Sequence, residues 1–193
     1  MPAVAVFCGS STGHDPRHAR DAGTLAGRLA AGGVRIVYGG ASVGSMGALA
    51  DAALAAGGEV VGVIPRHLVG REVAHEGLTR LDVVGSMHER KAEMAARADA
   101  FVALPGGYGT LDELFEVLTW SQLGLHHKPC ALLDVDGYYT SLVAFLDHAG
   151  AEGLLRPEHR AMLFVEQDPE RLCDRLSSYP LPVVATVIEP GQT

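Results

Sequence analysis

The residue types most suited to chemistry in this sequence gather in PGGYGTLDE, positions 105–113. Glycines at Gly106, Gly107 and Gly109 let a ligand approach the backbone closely. A helix starting near Thr110 would aim unpaired N–H groups and the positive end of its dipole at an anion such as a phosphate. Thr110 can add a hydroxyl and Glu113 a carboxylate three residues further on. A turn and a capping residue alone would explain PGG, but not the added GT and carboxylate at this spacing.

A second segment, SMHERKAEM (86–94), supplies opposite charge. Met87, Met94 and Ala98 mark its inner stripe, and Arg90 and Lys91 flank that stripe. An arginine held against an apolar face needs an anionic partner, because an unpaired buried charge is costly. A substrate phosphate or Glu113 would serve, and both Arg90 and Lys91 are substrate-binding candidates. Two more glycine-rich turns, CGSS (8–11) and YGGASVGSMG (38–47), follow apolar runs of strand length.

The elements that must position these residues read as an alternation of strands and helices, the pattern of a parallel α/β fold. Strands are expected over 3–8, 34–38, 59–64, 80–84, 100–104 and 130–135, with a weaker one over 162–165. Helices are expected from Asp15 and Pro16 to Gly32, then over 45–56, 87–98, 110–123, 138–149 and 169–177. On the fourth helix, Leu111, Leu114, Phe115 and Leu118 form the stripe expected to meet the sheet. Glu113, Glu116, Val117 and Trp120 then fall opposite, on a face meeting a cleft wall or another subunit. Residues 67–79 lack a clear period, and such long loops are often functional or mobile. The reading is one Rossmann-like domain over 1–180, a parallel sheet with helices on both faces, and a tail over 181–193. Three glycine-rich turns at the carboxyl ends of strands in one sheet describe a pocket.

Composition narrows the function. A net charge of -8 argues against a nucleic-acid partner. Lys91 and Lys128 are the only lysines, which leaves little room for Schiff-base chemistry. Three cysteines, an odd number without metal-ligand spacing, fit a reduced compartment. With no signal peptide and no span of about 20 apolar residues, a cytoplasmic protein off the membrane is expected.

Taken together, PGGYGTLDE, MHERK, CGSS and YGGASVGSMG resemble the LOG family, the cytokinin riboside 5'-monophosphate phosphoribohydrolases, whose pattern is PGGxGTxxE with an Arg-Lys helix. The likeness runs from about Ala3 to Tyr179 and includes WSQLGLHHKP and DGYY. It implies hydrolysis of the bond between an adenine-type base and ribose 5'-phosphate, in AMP or N6-prenylated AMP. Under this resemblance Glu113 and Arg90 match the catalytic pair, and Gly106, Gly107, Gly109 and Thr110 the phosphate-binding turn. Ser10, Gly40 and Met87 would line the nucleotide pocket. No metal or other cofactor is implied, and a homodimer is. Ala41 and Ser45 stand where the family commonly has glycine and leucine, a departure that bears on base selectivity. Some relatives carry a lysine decarboxylase label, yet a pyridoxal enzyme needs a well-placed lysine, and Lys91 and Lys128 are poor candidates.

Other readings compete. A non-catalytic nucleotide or cofactor carrier would use the same pocket, with no evident need for Glu113. Gly40, Ser42 and Gly44 spell G-x-S-x-G, and Ser42, Asp134 and His148 would complete a hydrolase triad. Gly39 to Ser45 has P-loop glycine spacing without its lysine, and GGYGTLD lacks the third glycine of a dinucleotide fingerprint. His14 and His18 have the spacing of two metal ligands but no third, and His126 and His127 read as loop residues.

Overall fold

Apolar runs that stay hydrophobic at every position, rather than every second one, belong in a sheet covered on both faces. That is the architecture of the computed structural model, which describes residues 1–70 and 74–180. Seven strands, β1 (Ala3–Phe7), β2 (Arg35–Tyr38), β3 (Val60–Pro65), β4 (Arg80–Val84), β5 (Ala100–Ala103), β6 (Cys130–Leu133) and β7 (Leu163–Glu166), form one sheet in the order β4-β3-β2-β1-β5-β6-β7. Every pairing is parallel; Ala5, for example, stands beside Val37 on one side and Phe101 on the other.

Side chains alternate between two cores. Val4, Val6, Ile36 and Val102 join the core under α1 (Pro16–Ala31), α2 (Gly44–Ala55) and α7 (Pro169–Leu176). Ala5, Phe7, Val37 and Phe101 join the core under α3 (Met87–Arg97), α4 (Tyr108–Gln122) and α5 (Thr140–Ala151). The strand order reverses direction at β1, so a crevice opens between the carboxyl ends of β1 and β5, where ligands bind in open α/β sheets.

The helix starts follow their capping residues. Asp15 accepts from the Arg17 backbone N–H with Pro16 at the first helical position, and Ser86 accepts from Glu89 N–H at the start of α3. Among the described residues no helix is long and apolar enough to cross a membrane.

The structure departs from expectation in four places. The buried residues of α4 are Thr110, Glu113, Leu114, Val117 and Ser121, whereas Leu111 and Leu118 are half-buried and Phe115 is exposed. The helix is rotated from the expected stripe: Val117 joins Leu114 in the core, Leu111 and Leu118 pack half-buried against it, and Phe115 is exposed. A short helix, α6 (Pro157–Arg160), and a 3-10 turn over Val135–Gly137 were not expected, and α5 starts at Thr140. Within the long loop expected over 67–79, residues 74 and 75 are anchored: His75 N–H donates to Gly40 O at 3.0 Å, and Ala41 and Ala74 form an isolated bridge. The expected tail over 181–193 lies outside the described residues.

Candidate active site

α3 and α4 pack on the same face of the sheet and bring Arg90 and Glu113 together at the floor of a cleft of about 370 Å³. Both side chains are nearly sealed, Arg90 at 6% and Glu113 at 5% exposure. Arg90 Nη2 lies 3.4 Å from Glu113 Oε1, and Arg90 Nη1 lies 3.9 Å from Met87 Sδ. Arg90 Nε is buried with no hydrogen-bond partner among the described residues. The guanidinium rests against the backbone of Gly39, where any Cβ would overlap Arg90 Nη2 and crowd Met46 Sδ. Only glycine at 39 leaves room for the pair. The Cys8 thiol, which also lines the cleft, is pushed well up by burial and further by the Glu113 charge, with Arg90 opposing. It therefore stays a neutral thiol and no nucleophile.

The amino end of α4 forms the mouth. Gly107 is its N-cap and no side chain caps it, so its first N–H groups present a positive end to the cleft. No atom lies within 4 Å of the place a Cβ would take at Gly107 or Gly109, so the turn stands open to a ligand. Gly106 plays another part: a Cβ there would overlap Thr110 Oγ1, so its absence lets the buried Thr110 side chain fold under the turn. Two neighbouring tyrosines hold the turn from the β6 side, Tyr138 Oη donating to Gly106 O at 2.7 Å and Tyr139 Oη to Leu104 O at 2.6 Å.

Of the residues singled out from sequence, Ser10, Met87, Arg90, Gly107, Gly109, Thr110 and Glu113 line this cleft. Gly106 lines an adjoining pocket. Gly40 does not reach either. It is buried at φ +81°, packed towards Leu81 and Ile64, and its carbonyl anchors His75, so it shapes the loop behind the cleft. Lys91 is also elsewhere, its Nζ 3.1 Å from Asp112 and 3.1 Å from Glu116 on the other side of α3. Gly39, Met46 and Leu68 were missed. Met46 and Leu68 carry no chemical signal in sequence, and Gly39 acts through an absent side chain.

The competing readings lose their geometry. Burial works against the Lys91 charge, but its bonds to Asp112 and Glu116 prevail and raise its pKa, the opposite of what a Schiff-base lysine needs. Burial lowers the pKa of Lys128, yet its Nζ donates to Ala95 O at 2.8 Å, away from the cleft. Asp134 is committed to the Tyr139 backbone N–H at 2.6 Å. His148 sits exposed in the last turns of α5, which runs back from the carboxyl edge of the sheet, so no triad with Ser42 forms. Among the described residues no group of three or more His, Cys, Asp or Glu side chains could hold a metal ion.

A buried arginine-carboxylate pair beneath an open glycine-rich helix start now has a sequence context. Residues 46–176 match a family model described as "Possible lysine decarboxylase". A probable cytokinin riboside 5'-monophosphate phosphoribohydrolase of Oryza sativa subsp. japonica, LOGL9, is 54% identical over 177 residues, spanning 91% of this chain and 78% of the relative. The corresponding protein of Rhodococcoides fascians is 51% identical over 169 residues, spanning 87% of this chain and 85% of its own length. The chain belongs to the LOG family. LOG7 of Arabidopsis thaliana, at 48% identity over 91% of this chain and 81% of the relative, agrees. The LOG fold itself extends further. The molybdenum cofactor carrier protein of Chlamydomonas reinhardtii superposes with a TM-score of 0.70 at 22% identity, covering 92% of this chain and 98% of that one. At that identity the likeness is one of architecture.

Proposed function

We propose that the protein hydrolyses the N-glycosidic bond of cytokinin riboside 5'-monophosphates and of AMP, releasing the free base and ribose 5-phosphate. The observation that carries this reading is the buried Arg90–Glu113 pair directly beneath the uncapped amino end of α4. The 5'-phosphate would meet the open amides at Gly107 and Gly109, with Thr110 beside them. That anchoring sets the ribose over Glu113. As the bond from C1' to the base nitrogen breaks, positive charge grows on the sugar, and the Glu113 carboxylate stabilises it. Water then bonds through oxygen to C1', and the proton it gives up passes by way of Glu113 to the departing base. Arg90, braced by Gly39, holds the carboxylate in place.

The activity is assigned to residues 1–180, acting in the cytoplasm. A homodimer suits the outer face of α4, where Tyr108 is 94% exposed and Phe115 and Trp120 share a shallow open surface. Sedimentation should show a mass twice that of the chain, and a monomer at every concentration would remove that part.

The test of the activity is to incubate the purified protein with AMP and with N6-isopentenyl AMP and separate the products. Base and ribose 5-phosphate should appear in equal amounts. Binding of both nucleotides without release of either product would replace this reading with that of a carrier.

A further inference from the structure

Behind the PGG turn lies a second pocket, of about 210 Å³, whose lining includes neither Arg90 nor Glu113. It shares Gly9, Ser11 and Gly107 with the cleft, so one glycine ridge separates the two. Its walls are His18, Tyr138 and Ser45. Ser45 is 1% exposed, and its Oγ has no hydrogen-bond partner among the described residues. Burying a hydroxyl with nothing to bond is unfavourable, and the wall is polar, so this atom points to a missing ligand. His18 Nδ1 is a second buried atom without a partner.

The sign of that ligand follows from the wall. Ser45 stands in the first turn of α2, a 12-residue helix that no side chain caps, so its positive end faces the pocket. Ser11 Oγ already accepts from Gly13 N–H at 3.2 Å, which leaves its own hydrogen to donate. No acidic side chain lines the pocket, and the nearby carboxylates of Asp15 and Asp136 are both taken by Arg17. Hydroxyl and helix-start donors face the pocket and no carboxylate does. The ring edges of Tyr138 and His18, 5.7 Å apart between centroids, give the other wall an apolar surface of the kind a sugar ring packs on.

We propose that this pocket is a second phosphate-binding site, distinct from the amino end of α4, that takes a phosphate dianion either free or as the phosphate of a pentose. Ser45 and the start of α2 hold the oxyanion, and His18 and Tyr138 close over it. Ser45 makes the site: a leucine there would fill the same space with methyl groups and remove the donor.

Amide shifts in the 15N-labelled chain test this with inorganic phosphate and with ribose 5-phosphate as separate probes. Gly13 and Ser45 report on the pocket, and Gly109 and Thr110 on α4, so failure here is separable from failure of the proposed activity. In the wild type the pocket amides should titrate with ribose 5-phosphate. If inorganic phosphate moves them as well, the site recognises the phosphate alone; if it does not, the sugar wall is part of the recognition. Ser45→Leu should abolish the response and leave Gly109 and Thr110 responding. Ser45→Ala, which disturbs packing least, should weaken it by ~10-fold or more, the scale for losing a hydrogen bond to a charged group. Pocket amides that ignore both probes, or a Ser45→Ala chain that titrates like the wild type, would overturn the proposal.

Discussion

Two ion pairs join α3 to α4 one residue apart, and they do different work. Arg90 meets Glu113 inside the cleft, both side chains nearly sealed, with nothing but Gly39 behind the guanidinium. Lys91 meets Asp112 and Glu116 outside it, and both carboxylates keep part of their surface in water. Adjacent cations on one helix point about 100° apart, so one turns to the site and the other to the seam between helices. The difference shows that charge on a helix says little until the partner's surroundings are known. A carboxylate kept from water beside an open anion site is available to a substrate, and one half in solvent is a clamp.

The sharpest way to break this comparison is to neutralise each side. Glu113→Gln keeps the shape and the nucleotide affinity but should lower kcat for AMP by at least ~10²-fold, the scale for one positioned acid or base. Single-turnover assays alongside equilibrium binding would show it, and an unchanged rate would place the chemistry elsewhere. Gly39→Ala comes next. The added methyl overlaps the guanidinium, so turnover should fall ~10-fold or more in a chain whose circular dichroism is unaltered. Wild-type kinetics would mean Arg90 need not rest where it does.

Lys91→Met should leave kcat/KM within about threefold while lowering stability by about 1 kcal/mol, typical of a partly exposed pair. A large loss of activity from this change would erase the distinction between the pairs. The smallest effect is the pH dependence of that clamp. The folded-state pKa of Lys91 is raised above its ordinary 10.5, so its contribution is complete below that value and lost as pH climbs through the folded pKa. The gap in melting temperature between wild type and Lys91→Met should therefore close above pH 10.5. A gap that widens there would reverse the sign of the argument.

Much of this was legible before any coordinates. Apolar runs of strand length announced the seven strands, even the weak one that became Leu163–Glu166; β1, β5 and β6, covered on both faces, are hydrophobic throughout, whereas the edge strand β4 carries Arg80 and Asp82. The cost of a lone buried charge left Arg90 two partners, a substrate phosphate or Glu113, and the fold brings it to Glu113. The orientation of α4 was not legible. Leu111, Phe115 and Leu118 outweigh Thr110, Glu113 and Ser121 on any scale of hydropathy, so the wheel placed Phe115 inward and Val117 outward, the reverse of the structure. The site demanded a polar inner turn, which leaves Leu111 and Leu118 half-buried at the edge of the core and brings Phe115 to an outer surface with Tyr108. Gly40 was placed in the nucleotide pocket by the family resemblance, but its backbone angle and its carbonyl serve the neighbouring loop. The parts played by Gly39 and Ser45 were not legible, since each matters through its surroundings: a missing methyl in one case, an unsatisfied hydroxyl in the other.

The hydroxyl of Tyr138 fixes more than the carbonyl it touches. A peptide unit is planar and trans, so fastening the Gly106 oxygen on one side sends the Gly107 hydrogen to the opposite side, on a residue that lines the cleft. The phenol thus aims a donor it never contacts, and an arriving oxyanion finds that dipole already turned, with no rearrangement of the turn left to make.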